Sequence, residues 1–571
     1  MRLEVHTGRD DMSLASEGIG LSTQGNVPRA GQHNPIAFGS EGMVSTADPI
    51  AARVGIDVLR TGGNAADAAI AIAAVENVTL PAMCGLGGDV FAILYDARTG
   101  RCTAFNGSGV CAYRATPEYF LERGFRKMPT TGLHSVAVPG AVHAYETIVN
   151  EFGTRPLGDL LQPAVELAER GFILPEATAG TISAMSALLG QFPTSAAILM
   201  PGGEPLTAGD RLRNPDLAES LRLVASGGSK EFYQGQIARR IADYYRDCGK
   251  SDIGLTEAEF ADHETEVYAP ISTTYRGYRI NQTRPASQGL IVLEEMNLLE
   301  GFDLRALGRN TTDTLHIMIE AKKLAFADRL RYCGDPRTID FPLQSLISKE
   351  FAEARRRSID QKRAQDVVAG ALPEVLAGDT TYFAVADRWG NAVSFIHSLS
   401  NAFGSGVVAG GTGIMLNNRA GRGFTLEAGH PNRLAGGKRT MHTLNCYLMT
   451  KEGKPVIVGG TPGGDQQPQW NMQTIANLVD FDLNVQEAAE APRWYSFPGT
   501  DPEIIENRFV VRLEEGIPDD TLAGLADRGH WVERLDRWAA GGGVQLIAFD
   551  HQRHILLGGA DPRAAGSAVG Y

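Results

Sequence analysis

A Gly-Asp turn, Gly378-Asp379, runs straight into a segment that opens on Thr380 and continues Thr381-Tyr382-Phe383-Ala384-Val385. A threonine hydroxyl is a candidate nucleophile, but at neutral pH it is a poor one and needs a base. Further along comes Gly459-Gly460-Thr461-Pro462-Gly463-Gly464-Asp465. Two adjacent glycines after a strand can offer consecutive backbone N–H groups to an oxyanion. A hydroxyl that attacks and amides that hold the resulting charge are the parts of an acyl transfer. Taken alone, a Gly-Asp turn before a β-branched strand start is an ordinary surface feature, so the surrounding elements must decide.

Those elements read as follows. Gly42 to Ala47 is a short strand. Asp48 caps a helix over Pro49–Arg60, which Thr61-Gly62-Gly63 ends, and Asn64 caps the next over Ala65–Asn77. Cys84 to Asp89 is a glycine-rich turn, Val90–Tyr95 a strand, and Thr103–Phe105 its hairpin partner. Residues 115–260 read as mostly helical. A helix over Thr314–Arg331 carries Glu320, Asp328, Arg329 and Arg331, whose spacing allows pairing along and between turns. Strands are expected at Thr380–Asp387, Ala392–Ser398, Leu444–Thr450, Val456–Val458 and Val544–Phe549, with helices at Asn471–Leu478 and Val485–Ala491. The pattern is a helical first part followed by a strand-rich last third.

Composition narrows the class. The 571 residues hold 53 Lys and Arg against 67 Asp and Glu, a formal charge of −14. That argues against a nucleic-acid partner, which requires a basic face. No apolar run is long enough to span a bilayer, residues 1–33 carry no secretory pattern, and the six cysteines are scattered. A cytoplasmic protein with reduced thiols is the expectation. Glycine, at 66 residues, is enriched over the usual ~7% and implies many tight turns. Gly404-Ser405-Gly406 is a weak dinucleotide-loop pattern with no βαβ unit around it. The twelve histidines show no metal-ligand spacing, and no motif suggests a metal or organic cofactor.

The stretches GMVSTADPIAARVGIDVLRTGGNAADAA, GLGGDVFAILYD, RPASQGLIVLEEMNLLEGFD, EAKKLAFADRLRYCGDP, GDTTYFAVADRWGNAVSFIHS, FGSGVVAGGTGIMLNN and GGTPGGDQQPQ together resemble the γ-glutamyltransferase family, from Gly42 to Tyr571. The resemblance implies an α/β N-terminal-nucleophile hydrolase built as a four-layer αββα sandwich. It implies a precursor that cuts itself between Asp379 and Thr380. A loose leader over 1–35 would precede a large subunit over 36–379 and a small subunit over 380–571. These stay together, with a pairing of two heterodimers left open. Thr380 would be the nucleophile, the N–H groups of Gly463 and Gly464 the oxyanion hole, and Ser398 the hydroxyl that assists the nucleophile.

The physical logic of such a cut stands apart from the family. Once Thr380 is N-terminal, its own α-amino group is the missing base, with an ordinary pKa of about 7.7–8.0. Cleavage therefore creates the base and the site together.

The substrate-holding positions depart from the family. Where γ-glutamyl enzymes carry a carboxylate-binding arginine this chain has Ser108, beside Asn106, with Arg114 six residues on. Where they carry an acid for the α-ammonium it has Arg422. A neighbouring glutamine is Arg419, and a serine pair is His442-Thr443. A cation cannot partner an ammonium group, and like charges in a desolvated site repel. His442-Thr443-Leu444-Asn445 and the glutamines after Gly464 are similar to the oxamate amidohydrolase branch. The expected substrate is then a small amide bearing a carboxylate, oxamate-like or N-acyl, with Arg419, Arg422, His442, Thr443, Asn106 and Ser108 as substrate contacts. The alternatives are a γ-glutamyl hydrolase or transferase and, from another class, an unprocessed binding protein.

Overall fold

The computed structural model describes residues 33–250, 252–365, 380–497 and 509–571. Two seven-stranded sheets form its centre. The first runs, in spatial order, Ser567–Gly570, Gly42–Thr46, Thr381–Asp387, Ala392–Ser398, Asp89–Asp96, Arg101–Gly107 and Glu266–Tyr268. The second runs Ala37–Gly39, Ile555–Ala560, Gln545–Asp550, Lys454–Gly460, Tyr447–Lys451, Tyr278–Gln282 and Ile271–Tyr275. Every pairing in both sheets is antiparallel.

The period-2 pattern of the strands assigns three apolar layers. Along Thr381–Asp387, Tyr382, Ala384 and Ala386 face the second sheet and pack with its Leu448, Val458 and Ile547. Phe383 and Val385 face the other way, into a core shared with the helices Pro49–Arg60, Ala65–Thr79 and Ala141–Phe152. On the far face of the second sheet, Tyr447, Met449 and Ile457 meet the helices Gly289–Leu299, Thr312–Tyr332 and Gln466–Val479. Three cores between four layers make an αββα sandwich, as the resemblance implies.

The caps behave as their residue types require. Asp48 accepts from the Ile50 amide at 2.8 Å, and Asn64 forms a capping box with Asp67. The alanine-rich helix Ala65–Thr79 is buried along its whole length, because short side chains let neighbours approach from all sides. Among the described residues no helix is long and apolar enough to cross a membrane.

Two expectations change. The chain does not divide into a helical part and a strand-rich part. Seven strands that precede residue 300 sit in the two sheets, each hydrogen-bonded into them. Strand Thr381–Asp387 is inserted between Gly42–Thr46 and Ala392–Ser398. In the helix Thr312–Tyr332, Glu320 pairs with Lys323, Asp328 with Arg355, and Arg329 with Asp465. Tertiary partners thus displace pairing among the four residues named from the sequence.

Candidate active site

The register of the first sheet lines up the chemistry. Thr381 pairs with His397, His397 with Val90, and Val90 with Gly107. One rung further, at the strand ends, lie Thr380, Ser398, Asp89 and Ser108, with Ser398 directly opposite Asp89. Adjacent strands are about 4.8 Å apart, so this rung is a row of four positions. Thr380 is buried, and its Oγ1 donates to Ser398 Oγ at 3.1 Å. Ser398 Oγ also accepts from the Ser400 amide at 2.7 Å, which fixes its rotamer. Gly88 must be glycine here, since a Cβ would lie 2.5 Å from the Ser398 carbonyl oxygen. The Asp379 side of the expected cleavage bond lies outside the described residues.

Gly463 and Gly464 end the crossing from strand Lys454–Gly460 to helix Gln466–Val479, with φ of +131° and +57°. Among the described residues neither of their amides donates to another protein group. The helix begins at Gln466 rather than at Asn471, so the glycine pair stands at its amino end, where the dipole favours negative charge. A brace holds the turn. Gln288 Nε2 donates to the Gly464 carbonyl at 2.9 Å and to the Thr443 carbonyl. Arg329 donates to Gln288 Oε1 and, at 2.5 Å, to Asp465 Oδ1. A nucleophile–hydroxyl pair and an unoccupied pair of amides can carry out acyl transfer.

The charged part of the site centres on Asp89. Its Oδ2 accepts from Arg419 Nε at 3.2 Å and from His442 Nε2 at 2.9 Å, and all three side chains are buried. Burial pushes the Asp89 carboxyl up, but His442 and Arg419 outweigh it and hold it below its usual range. Burial, with Arg419 beside it, drives His442 down to about 4 despite Asp89. The imidazole is therefore neutral at pH 7, with its proton on Nε2. Arg419 Nη1 reaches Thr443 Oγ1 at 3.3 Å. Arg422 Nη1 donates to the Ser400 carbonyl at 3.1 Å, and its Nη2 lies 2.8 Å from where a Cβ on Gly464 would stand. The sequence-derived Arg419, Arg422, His442 and Thr443 thus converge with Thr380, Ser398, Gly463 and Gly464.

The remaining candidates sit differently. Ser108 donates its amide (3.0 Å) and hydroxyl (2.6 Å) to Asn106 Oδ1, and Asn106 Nδ2 donates to Glu266 at 3.2 Å. Arg439 donates to the Ser108 carbonyl at 2.8 Å and pairs with Glu266. Both candidates are engaged by protein groups at the far end of the row. Arg114 is exposed. His430 Nδ1 accepts from the Asn432 amide at 3.0 Å.

Asp89, Gln288, Arg329 and Asp465 were not singled out from the sequence as site residues. The only signal for them is their place inside stretches shared with the family.

Two buried groups bring potential metal-ligand atoms together. Glu76, Cys84 and His397 form one, and His316, Glu320 and His530 the other. In the first, Glu76 accepts from Thr46 and meets His397 Nε2 at 2.8 Å, while burial pushes the Cys84 thiol well up. In the second, the two rings face each other at 2.8 Å and Glu320 pairs with Lys323 at 2.7 Å. Neither group includes a residue of the Thr380 row.

Comparison with known proteins follows the same lines. The family model described as gamma-glutamyltranspeptidase matches residues 51–571. Acylase ACY 1 proenzyme of Pseudomonas sp. strain V22 is 37% identical, covering 93% of this chain and 94% of its own. The glutathione hydrolase-like YwrD proenzyme of Bacillus subtilis is 36% identical over 94% of this chain and its full length. Oxamate amidohydrolase proenzyme of Klebsiella pneumoniae is 31% identical over 93% of this chain and 99% of its own. Among solved structures, cephalosporin acylase from Bacillus halodurans superposes with a TM-score of 0.86 at 34% identity, over 96% of this chain and 99% of that one.

Proposed function

The chain belongs to the gamma-glutamyltranspeptidase family of autoprocessed amide-bond hydrolases, and on that premise we propose that it is an N-terminal-threonine amidase for small amides or N-acyl amines whose acyl group ends in a carboxylate. The observation that carries this reading is Arg422, whose guanidinium stands beside Gly464 in the turn that would hold the oxyanion. A carboxylate a few bonds from the scissile carbonyl would meet that guanidinium, whereas an α-ammonium group would be repelled. Arg422 takes the anchoring role because its guanidinium borders Gly464, while Arg419, paired with Asp89, forms the floor with His442.

The cycle follows from the groups in place. Cleavage before Thr380 frees its α-amino group. That amine takes the Oγ proton as Oγ attacks the carbonyl carbon, and Ser398 steadies Oγ through the 3.1 Å hydrogen bond. The amides of Gly463 and Gly464 receive the oxyanion. When the C–N bond breaks, the ammonium returns the proton to the leaving nitrogen, and an ester on Thr380 remains. Water, deprotonated by the same amine, attacks the ester and releases the acid.

The reading is tested by amino-terminal sequencing and a substrate screen on the matured protein. The smaller fragment is expected to begin Thr-Thr-Tyr-Phe, and amine or ammonia release to be fastest with oxamate-like and dicarboxylate monoamides. Turnover of γ-glutamyl-p-nitroanilide at rates above those amides would replace this reading with the γ-glutamyl one. An intact, uncleaved chain would replace it with a binding role.

A further inference from the structure

The two buried groups of potential metal ligands differ in their electrostatic setting. In the second, Glu320 already has a cation, Lys323, at 2.7 Å. The first, Glu76, Cys84 and His397, has none of that kind. Glu76 accepts from Thr46 and meets His397 Nε2 at 2.8 Å, and no lysine or arginine pairs with it among the described residues. Asp48 is buried as well, and interacts electrostatically with Glu76 and Cys84. Its hydrogen-bond partners are the Thr79 hydroxyl and the Ile50 amide. Buried charges are ordinarily paired or coordinate metals. Here two carboxylates and a thiol have one imidazole to set against them.

The donor geometry fits a cation. One ligand atom each from Glu76, Cys84 and His397 lies within 4.8 Å of the other two, and all three residues are buried. Carboxylate, thiolate and imidazole are ligand types of zinc, with water as the fourth. Outer partners are in place too. Thr46 donates to Glu76 Oε1, the Tyr145 hydroxyl lies 3.4 Å from His397 Nδ1, and Asn77 Nδ2 donates to that hydroxyl at 3.0 Å. Such partners orient ligands and select the imidazole tautomer. A cavity of about 40 Å³ borders Asn77 and Cys84 and gives an approach to the group.

We propose that Glu76, Cys84 and His397 bind a zinc ion. On binding, the Cys84 thiol loses its proton to solvent and a Zn–S bond forms. The His397 proton that faces Glu76 on Nε2 is carried on Nδ1 instead, opposite the Tyr145 hydroxyl, and Nε2 gives its lone pair to the metal. No oxidation state changes. Glu76 and Cys84 precede the expected cleavage bond and His397 follows it. The ion would tie helix Ala65–Thr79 and the turn opening on Cys84 to the strand that ends in Ser398, holding the Thr380 rung from the helix side. Its role is structural, so the inference stands apart from which amide is cleaved.

The test uses the full-length protein, made in zinc-supplemented cells, purified without metal-affinity chromatography and dialysed. Elemental analysis should find about one zinc per chain. Exchange for Co²⁺ should give visible d–d bands and a near-ultraviolet thiolate-to-cobalt band. Cys84→Ser should lose that band and most of the bound metal, and Glu76→Gln most of the metal. Cys248→Ser, which removes the exposed thiol, and His530→Gln, in the other group, should leave both readings unchanged. After EDTA treatment, added Zn²⁺ should raise the melting temperature of the wild type and leave that of Cys84→Ser where it was. Zinc at background level with no cobalt spectrum in the wild type overturns the proposal, and so does metal that Cys84→Ser retains in full. If Cys84→Ser and Glu76→Gln do not fold, Cys248→Ser decides: a thiolate-to-cobalt band there sustains the site, and its absence ends it.

Discussion

Around Thr380, the groups placed to touch the reacting atoms are neutral: the Thr380 and Ser398 hydroxyls and the Gly463 and Gly464 amides. Around Asp89, one strand beyond Ser398, the side chains are ionic: a buried carboxylate, Arg419 against it, and Arg422 nearby. In the proposed cycle the first region needs no charged side chain, because its base would be the chain terminus that cleavage creates. It can therefore serve any acyl group. The second region performs no bond making, and its charges cost desolvation that only good pairing offsets. On the proposed reading, what distinguishes one substrate from another is concentrated where the ions are.

The sharpest way to break the neutral region is Thr380→Ala. It should leave a single uncleaved chain with activity reduced by roughly 10³-fold or more, read by denaturing electrophoresis and an amidase assay. Residual cleavage at the same bond would remove Thr380 from its role.

The ionic region should break by instability rather than by chemistry. Asp89→Asn leaves Arg419 buried without its carboxylate and should cost about 3–5 kcal/mol in denaturant unfolding. A loss below about 1 kcal/mol would mean the cluster is not held as a unit.

Ser398→Ala should lower kcat by roughly 10–100-fold with a smaller change in KM, while Ser398→Thr should recover most of it. Equal activity of the alanine and threonine variants would show that the 3.1 Å contact plays no part in turnover.

The smallest effect concerns pH. His442 is pushed down to about 4 in the folded protein, against about 6.5 in an unfolded chain. Between those values the unfolded state binds the extra proton, so stability is greatest above pH 6.5 and falls as the pH is lowered towards 4. Melting temperatures measured across that window should fall less steeply in His442→Gln, by a degree or two. Identical slopes would mean that His442 is not buried as a neutral ring.

The same contrast explains what the amino-acid order disclosed. Thr380 and the glycine pair, unlike Ser398, which is named only through the family resemblance, are legible because each is a local chemical type beside a turn or strand end. The caps Asp48 and Asn64 are legible for the same reason. Arg422 stood out by its sign, opposite to the acid that γ-glutamyl enzymes carry. Gln288 and Arg329 were not legible as a brace, since their partners lie far along the chain. The early start of helix Gln466–Val479 was masked by glutamines and a proline, which carry no apolar period. The strand Ile271–Tyr275 escaped because Ser-Thr-Thr separates its two apolar ends, so no period-2 apolar pattern shows.

Chain ends ordinarily fray, because nothing on one side restrains them. An amino terminus created at Thr380 would instead lead at once into a strand held by Ala392–Ser398 from Thr381 onward and by Gly42–Thr46 from Phe383 onward. The most mobile atom a polypeptide possesses would be born already clamped, so the entropy of aiming it is spent during folding and not at each turnover.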